Sequence, residues 1–360
     1  MIYLDYASSH PVLPQVINEL QSMVQDYGNA SSIHDFGIKN RQEIENVRKQ
    51  IAQEINCSPE EIIFTSSASE SNTLAIDGFI KAHKDAYYRV VASNIEHDSI
   101  LLNPRINGVI SCNGLGLLSA NDFKGYRNTL FAVMLANNEV GTIQPVKEIA
   151  EVIHKHDGNY ILTDASAAFG KIKIDVKDLG VDFLVASGYK IGALKGAAFL
   201  YVKNGVDISC IIPGHQELGF RGSTYNDLAI KSFGIAISNI EYQNLELKQK
   251  RDYLISRLKD MNLTINGDSD SRLYNNVNVC ASNIAMDAQQ LVSLLSMNGI
   301  MCSAGSACNS GVSTPSHVLM AMGLSKDKAS RSLRITFGHE TTYKELDYFV
   351  NCLSSIIKLN

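Results

Sequence analysis

The chain has 360 residues, 45% of them hydrophobic and 19% charged, with a formal net charge of −5. That length calls for about two domains of ~150 residues each, and thinly spread acidity excludes the basic stripe of a nucleic-acid binder. No apolar run approaches the ~18–20 residues that cross a bilayer, and Met1-Ile-Tyr-Leu-Asp-Tyr6 has neither region of a secretory signal, so a cytoplasmic globular protein is expected. The seven cysteines are odd in number and scattered, with no C-x-x-C pair. This pattern suggests neither a disulfide framework nor a metal site.

Along the chain, Asn40 to Asn56 sets Ile44, Val47, Ile51 and Ile55 on one helical face. Ile62-Ile-Phe-Thr65 reads as a strand, and Ser69 to Lys84 reads as the helix after it. Apolar runs follow at Arg89–Ser93, Leu130–Leu135, Tyr160–Thr163, Phe183–Ala186 and Ala197–Val202, with a helix predicted over Pro145–His156. Continuous apolar strands alternating with helices predict a largely parallel sheet buried on both faces. Tyr225 to Met261 reads as long, polar and helical, and a second strand–helix mixture ends in a helix over Thr342–Lys358. The expected division is a large α/β domain over residues 12–247 and a smaller α+β domain from residues 1–11 and 248–360.

In such sheets ligands bind beyond the carboxyl ends of the strands. Ser67 and Glu70, after the first strand, have capping-box spacing, so a helix start with outward N–H groups is expected there, an anion site suited to phosphate. Four further strand ends carry His97, the Asn137-Asn138 pair, Asp164, and Ser187-Gly-Tyr-Lys190. Singly, each is an ordinary cap or loop residue. Together they match what pyridoxal phosphate requires: a lysine for a Schiff base, an acid for the pyridinium nitrogen, an imidazole over the ring, and a phosphate cradle that includes Ser187.

Cys302-Ser-Ala-Gly-Ser-Ala-Cys308-Asn-Ser-Gly311 reads as a flexible loop, on which Cys308 could present a thiolate nucleophile. Cys302 follows an apolar run and is expected in the core. Arg334, in the strand pattern Ser332–Phe337, has the fork that suits a substrate carboxylate.

These motifs, in this order, closely resemble the cysteine desulfurases of the NifS/IscS type, which are fold-type-I pyridoxal phosphate enzymes. The resemblance runs from Tyr3-Leu-Asp-Tyr6 to the last helix. It includes Gly28–His34, Phe64–Ser71, Glu96-His97, Asn137–Gly141, Asp164-Ala165, Ser187–Lys190, Gly219–Thr224, Gly305–Cys308 and Leu333-Arg334. It implies that Lys190 carries the cofactor, with His97 over the ring and Asp164 on its nitrogen. Ala68, Ser69 and Ser187 would bind the phosphate, Asn138 and Tyr189 would contact cofactor or substrate, and Thr224 would reach the partner's cofactor in a homodimer. Arg334, helped by Asn29, would hold the substrate carboxylate. Cys308 would take the sulfur of L-cysteine as a persulfide, leaving alanine, for delivery to an acceptor such as an iron–sulfur scaffold or a tRNA-thiolation enzyme.

The chain departs from the family where Ala167 replaces a glutamine, Tyr189 a histidine, and Arg221-Gly-Ser-Thr224 an Arg-Ser-Gly-Thr. Two other readings stand beside desulfuration: a lyase acting on selenocysteine or another β-substituted amino acid, and a non-catalytic sulfur-relay or structural subunit.

Overall fold

The computed structural model describes residues 1–242, 245–281, 286–305 and 315–358. Its largest sheet has seven strands, in the spatial order Ile62–Thr65, Ala198–Val202, Phe183–Ser187, Tyr160–Asp164, Thr129–Ala132, Arg89–Ser93 and Gly108–Ile110. Ala198–Val202 runs antiparallel to both its neighbours, and every other pairing is parallel. Successive residues point to opposite faces, and both faces are covered. Val91, Phe131, Ile161 and Leu184 pack on one side with Val47, Ile51 and Phe233. Val90, Leu130, Leu162 and Val185 pack on the other with Leu74, Ile76 and Phe79. Two-sided burial is why these strands lack a polar alternation.

A second apolar cluster surrounds an antiparallel three-stranded sheet of Thr264–Asn266, Asn276–Cys280 and Ser332–Thr336. It joins Leu254, Val277, Leu333 and Leu353 to Leu4 from the start of the chain. Asp5 forms a parallel bridge to Thr336, so the N-terminal segment lies beside this sheet.

The predicted strands all form, with ends shifted by a few residues. The helix expected from Asn40 starts at Asp35, where the His34 side chain accepts from the Gly37 N–H. The long helix expected over Tyr225–Met261 is instead two helices, Asp227–Ile237 and Leu245–Asp260. Ser238 and Asn239 end the first by bonding the carbonyls of Gly234 and Ile235, as short polar side chains do at helix ends. The helix Pro14–Gln25 and the edge strand Gly108–Ile110 bury few residues and left little pattern to read. No helix among the described residues is long and apolar enough to cross a membrane.

One buried ion pair braces the large sheet near its ligand-binding edge. Arg48 makes a bidentate pair with Glu217 at 2.8 Å, and Glu217 also accepts from the Phe64 N–H at 2.7 Å. Glu217 opens a loop with left-handed backbone at Glu217, Leu218 and Ser223, three non-glycine residues. Glu217→Ala would leave the Arg48 guanidinium buried and the Phe64 N–H unpaired, so chemical denaturation should show a loss of about 3–5 kcal/mol.

Candidate active site

Beyond the carboxyl ends of the parallel strands, facing the small sheet, lies a cavity of about 320 Å³. Its walls bring together Ala68, Ser69, His97, Asn138, Asp164, Ser187, Tyr189, Lys190 and Arg334. They come from distant parts of the sequence, and the strand ends assemble them.

Lys190 sits in a 3₁₀ turn, Gly188–Ile191, directly after the strand Phe183–Ser187. Gly188 leaves no room for a side chain, because a Cβ there would lie 2.8 Å from the Phe233 ring. Lys190 Nζ donates to the carbonyls of Ala7 and of Ser8 (3.1 Å) and lies 4.8 Å from the centre of the Tyr189 ring. Its ammonium form is disfavoured by burial, then by the cations Lys171 and Arg334. Asp164 and Asp5 oppose the effect only in part, and the pKa falls to about 7. A lysine held this way is a nucleophilic amine near neutral pH.

Asp164 ends its strand, buried, and no cation among the described residues forms an ion pair with it. Its carboxylate accepts from the Ser166 N–H (2.8 Å) and from Asn72 Nδ2 (2.9 Å), which fixes its orientation toward the cavity. The helix Ala68–Ala82 starts at the edge of the same cavity, and the Ser67 hydroxyl accepts from the Glu70 N–H at 3.1 Å. The expected capping box is not closed. Glu70 turns to the Ser66 N–H (2.9 Å) and to Arg221 (2.7 Å), and this pairing holds its carboxyl below the usual range against the opposing effect of burial. The first-turn amides of Ala68 and Ser69 are left for an anion, as at any helix start.

The buried Ser187 hydroxyl has no partner among the described residues and lines the cavity. An unpaired buried hydroxyl is costly unless a ligand satisfies it. With the start of the helix Ala68–Ala82, Asp164 and Lys190 lining the same cavity, the residues present fit pyridoxal phosphate.

His97 caps the short helix Asp98–Leu101, and its Nδ1 accepts from the Ser99 N–H at 3.1 Å. With Nδ1 accepting that bond, the proton of the neutral ring sits on Nε2. Arg334 is almost wholly buried. One terminal nitrogen donates to the Asn138 carbonyl (3.2 Å), and the other to Asp5 (2.9 Å) and the Ser8 hydroxyl (2.7 Å). Its Nε has no partner among the described residues.

Asn29 and Thr224 are exposed and do not line the cavity of a single chain. Cys308 lies outside the described residues. Of the six cysteines that are described, Cys302 is buried, and its thiol is pushed up to about 12 by burial. Sequence reasoning missed Asn72, Glu139, Lys171 and His317, all of which touch the site or its residues. Their only cue was position after a strand or near a helix cap, which many idle residues share. The Lys171 ammonium has no hydrogen-bond or ion-pair partner among the described residues, and burial lowers its pKa to about 8.

Residues 2–349 match the family model described as aminotransferase class-V. Cysteine desulfurase IscS of Clostridium botulinum is 36% identical over an alignment covering 99% of this chain and 94% of that protein. The solved structure of a NifS-like protein from Rickettsia africae superposes with a TM-score of 0.88 at 31% identity, over 99% of each chain. SspA, solved in complex with cysteine, superposes at 0.81 with 32% identity, over 94% of this chain and 99% of that one.

The Lys190 amine is charged below about pH 7 and neutral above it. Capture of pyridoxal phosphate by the cofactor-free protein should therefore accelerate as pH rises through about 7, read as growth of visible absorbance. A Lys171→Met variant, which lacks one of the crowding cations, should show the rise at higher pH.

Proposed function

The chain belongs to the cysteine desulfurases of the pyridoxal phosphate-dependent class-V aminotransferase family, and on that premise we propose how its residues divide the reaction. Lys190 would hold the cofactor's aldehyde carbon, Asp164 would face the ring nitrogen, and Ala68, Ser69 and Ser187 would take the phosphate. His97, Asn138 and Tyr189 complete the pocket around the ring. When bound, pyridoxal phosphate supplies an electron sink that lets the Cα proton leave and weakens the Cβ–S bond. The observation that carries this reading is the convergence of a lysine of depressed pKa, an uncompensated carboxylate and an unpaired buried hydroxyl in one cavity.

Arg334 Nε is the donor left for the carboxylate of L-cysteine, and Asn29 would assist it. The neutral Lys190 amine is suited to accept the Cα proton and return it. Cys308, as a thiolate, would form an S–S bond to the substrate sulfur as the Cβ–S bond breaks. The electron pair of that bond ends in a C–H bond at Cβ. The products are L-alanine and a persulfide on Cys308, and the sulfur atom balances.

We also propose a homodimer, in which Thr224 reaches the partner's cofactor. Its exposure outside its own cavity supports this, as does the exposed apolar group of Tyr27, Ile33 and Phe36. The same reading holds the division at residues 12–247 against 1–11 and 248–360, and a cytoplasmic enzyme. It delivers sulfur to an acceptor protein for iron–sulfur cluster assembly or tRNA thiolation.

Purified protein given L-cysteine and a thiol reductant should release alanine and sulfide in equal amounts. Cys308→Ala should cut alanine formation at least about 100-fold, since none of the six described cysteines lines the cavity. Full turnover in that variant would overturn the persulfide step.

A further inference from the structure

The carboxyl group of Glu139 is buried in the cavity wall but belongs to none of the roles above. It accepts from the Ser316 hydroxyl at 2.5 Å. Gly305 also lies against it, because a Cβ built at Gly305 would stand 3.0 Å from Glu139 Oε2. Gly305 has φ +96°, a left-handed conformation that favours glycine, and the Ser303 hydroxyl holds its carbonyl at 2.9 Å. Gly305 and Ser316 flank the stretch of chain that contains Cys308, and Cys308 follows Gly305 by three residues.

Glu139 is itself firmly placed. Asn137 Oδ1 accepts from its N–H at 2.9 Å, and Asn278 Nδ2 donates to its carbonyl at 3.2 Å. His317, next to Ser316, donates to the Glu96 carbonyl at 2.9 Å, which ties the far end of the stretch to the strand end carrying His97. One carboxyl thus touches both described flanks: Gly305, which follows Cys302 and Ala304 of the small-sheet cluster, and Ser316, which precedes Val318 and Leu319, packed with Ile95, Met134 and Val140.

We propose that Glu139 is a positioning residue for sulfur transfer: it holds Ser316, abuts Gly305, and through these two flanks governs the step that uses Cys308. This rests on the role of Cys308 proposed above. The anchor works as a hydrogen-bond acceptor, so a glutamine, whose carbonyl oxygen can also accept from Ser316, should serve. An alanine should not. The chemistry at Cα uses other residues, so the two stages of the reaction should separate.

The test follows two rates in holoenzyme: exchange of the L-cysteine Cα proton with solvent deuterium, and appearance of persulfide on Cys308. Glu139→Ala and Ser316→Ala should each slow persulfide formation about tenfold, while Cα exchange stays within about twofold. Glu139→Gln should restore most of the lost rate, and the Glu139→Ala/Ser316→Ala double variant should be no slower than either single one. Backbone hydrogen exchange at residues 303–305 and 316–318 should rise in Glu139→Ala without substrate present.

Equal slowing of both rates would overturn the proposal, since Glu139 would then act on the cofactor or on folding. Unchanged persulfide formation in Glu139→Ala would overturn it too. If the unsubstituted protein itself places no sulfur on Cys308, the reading of that cysteine fails, and this outcome is distinct from either.

Discussion

Arg334 is the group on which the site's geometry depends. Its backbone pairs in both directions with Ser303, its strand belongs to the small sheet, and its fork reaches Asp5, Ser8 and the Asn138 carbonyl. Three separate stretches of chain thereby meet at one buried guanidinium. A buried cation needs such partners, because losing them leaves an uncompensated charge at a cost of several kcal/mol. The N-terminal residues held this way supply the carbonyls of Ala7 and Ser8 to Lys190. Besides the substrate-binding role proposed for it, Arg334 is therefore the clasp that closes the cavity.

Placing a buried arginine and Lys171 near Lys190 has an electrostatic consequence. Each cation disfavours a further ammonium charge, and the low dielectric strengthens the effect. Asp164 offsets this only in part, and its carboxylate is held by Asn72 and the Ser166 N–H. The same architecture thus leaves an amine free to lose its proton and a carboxylate free to face a ring nitrogen. The departures at Ala167 and Tyr189 fall on the cavity wall and remove neither group. A single lost neutral hydrogen bond is worth about 1 kcal/mol, which such a site tolerates.

Much of this was legible in the sequence because a two-sided parallel sheet writes itself as uninterrupted apolar runs, and the next residues are where ligands sit. His97, Asp164, Ser187 and Lys190 could be found by counting forward from Val91, Leu162, Val185 and Ala186. Asn72 and Lys171 could not. Asn72 sits inside a helix, where nothing marks it as the second partner of an aspartate 92 residues away. Glu139 shows its role only once the fold lays Gly305 and Ser316 against it. The break between the helices Asp227–Ile237 and Leu245–Asp260 was missed for a related reason: Ser238 and Asn239 are unremarkable until their side chains take the last carbonyls.

The proposed reaction moves the sulfur of L-cysteine, bound in the cavity around Lys190, to one particular thiol. It is tested most directly by mass spectrometry of all seven cysteines after the holoenzyme meets one equivalent of L-cysteine without reductant. The expected result is one added sulfur on Cys308 and one alanine per chain. Alanine accompanied by free sulfide alone, or by sulfur on Cys302 or another cysteine instead, would contradict it.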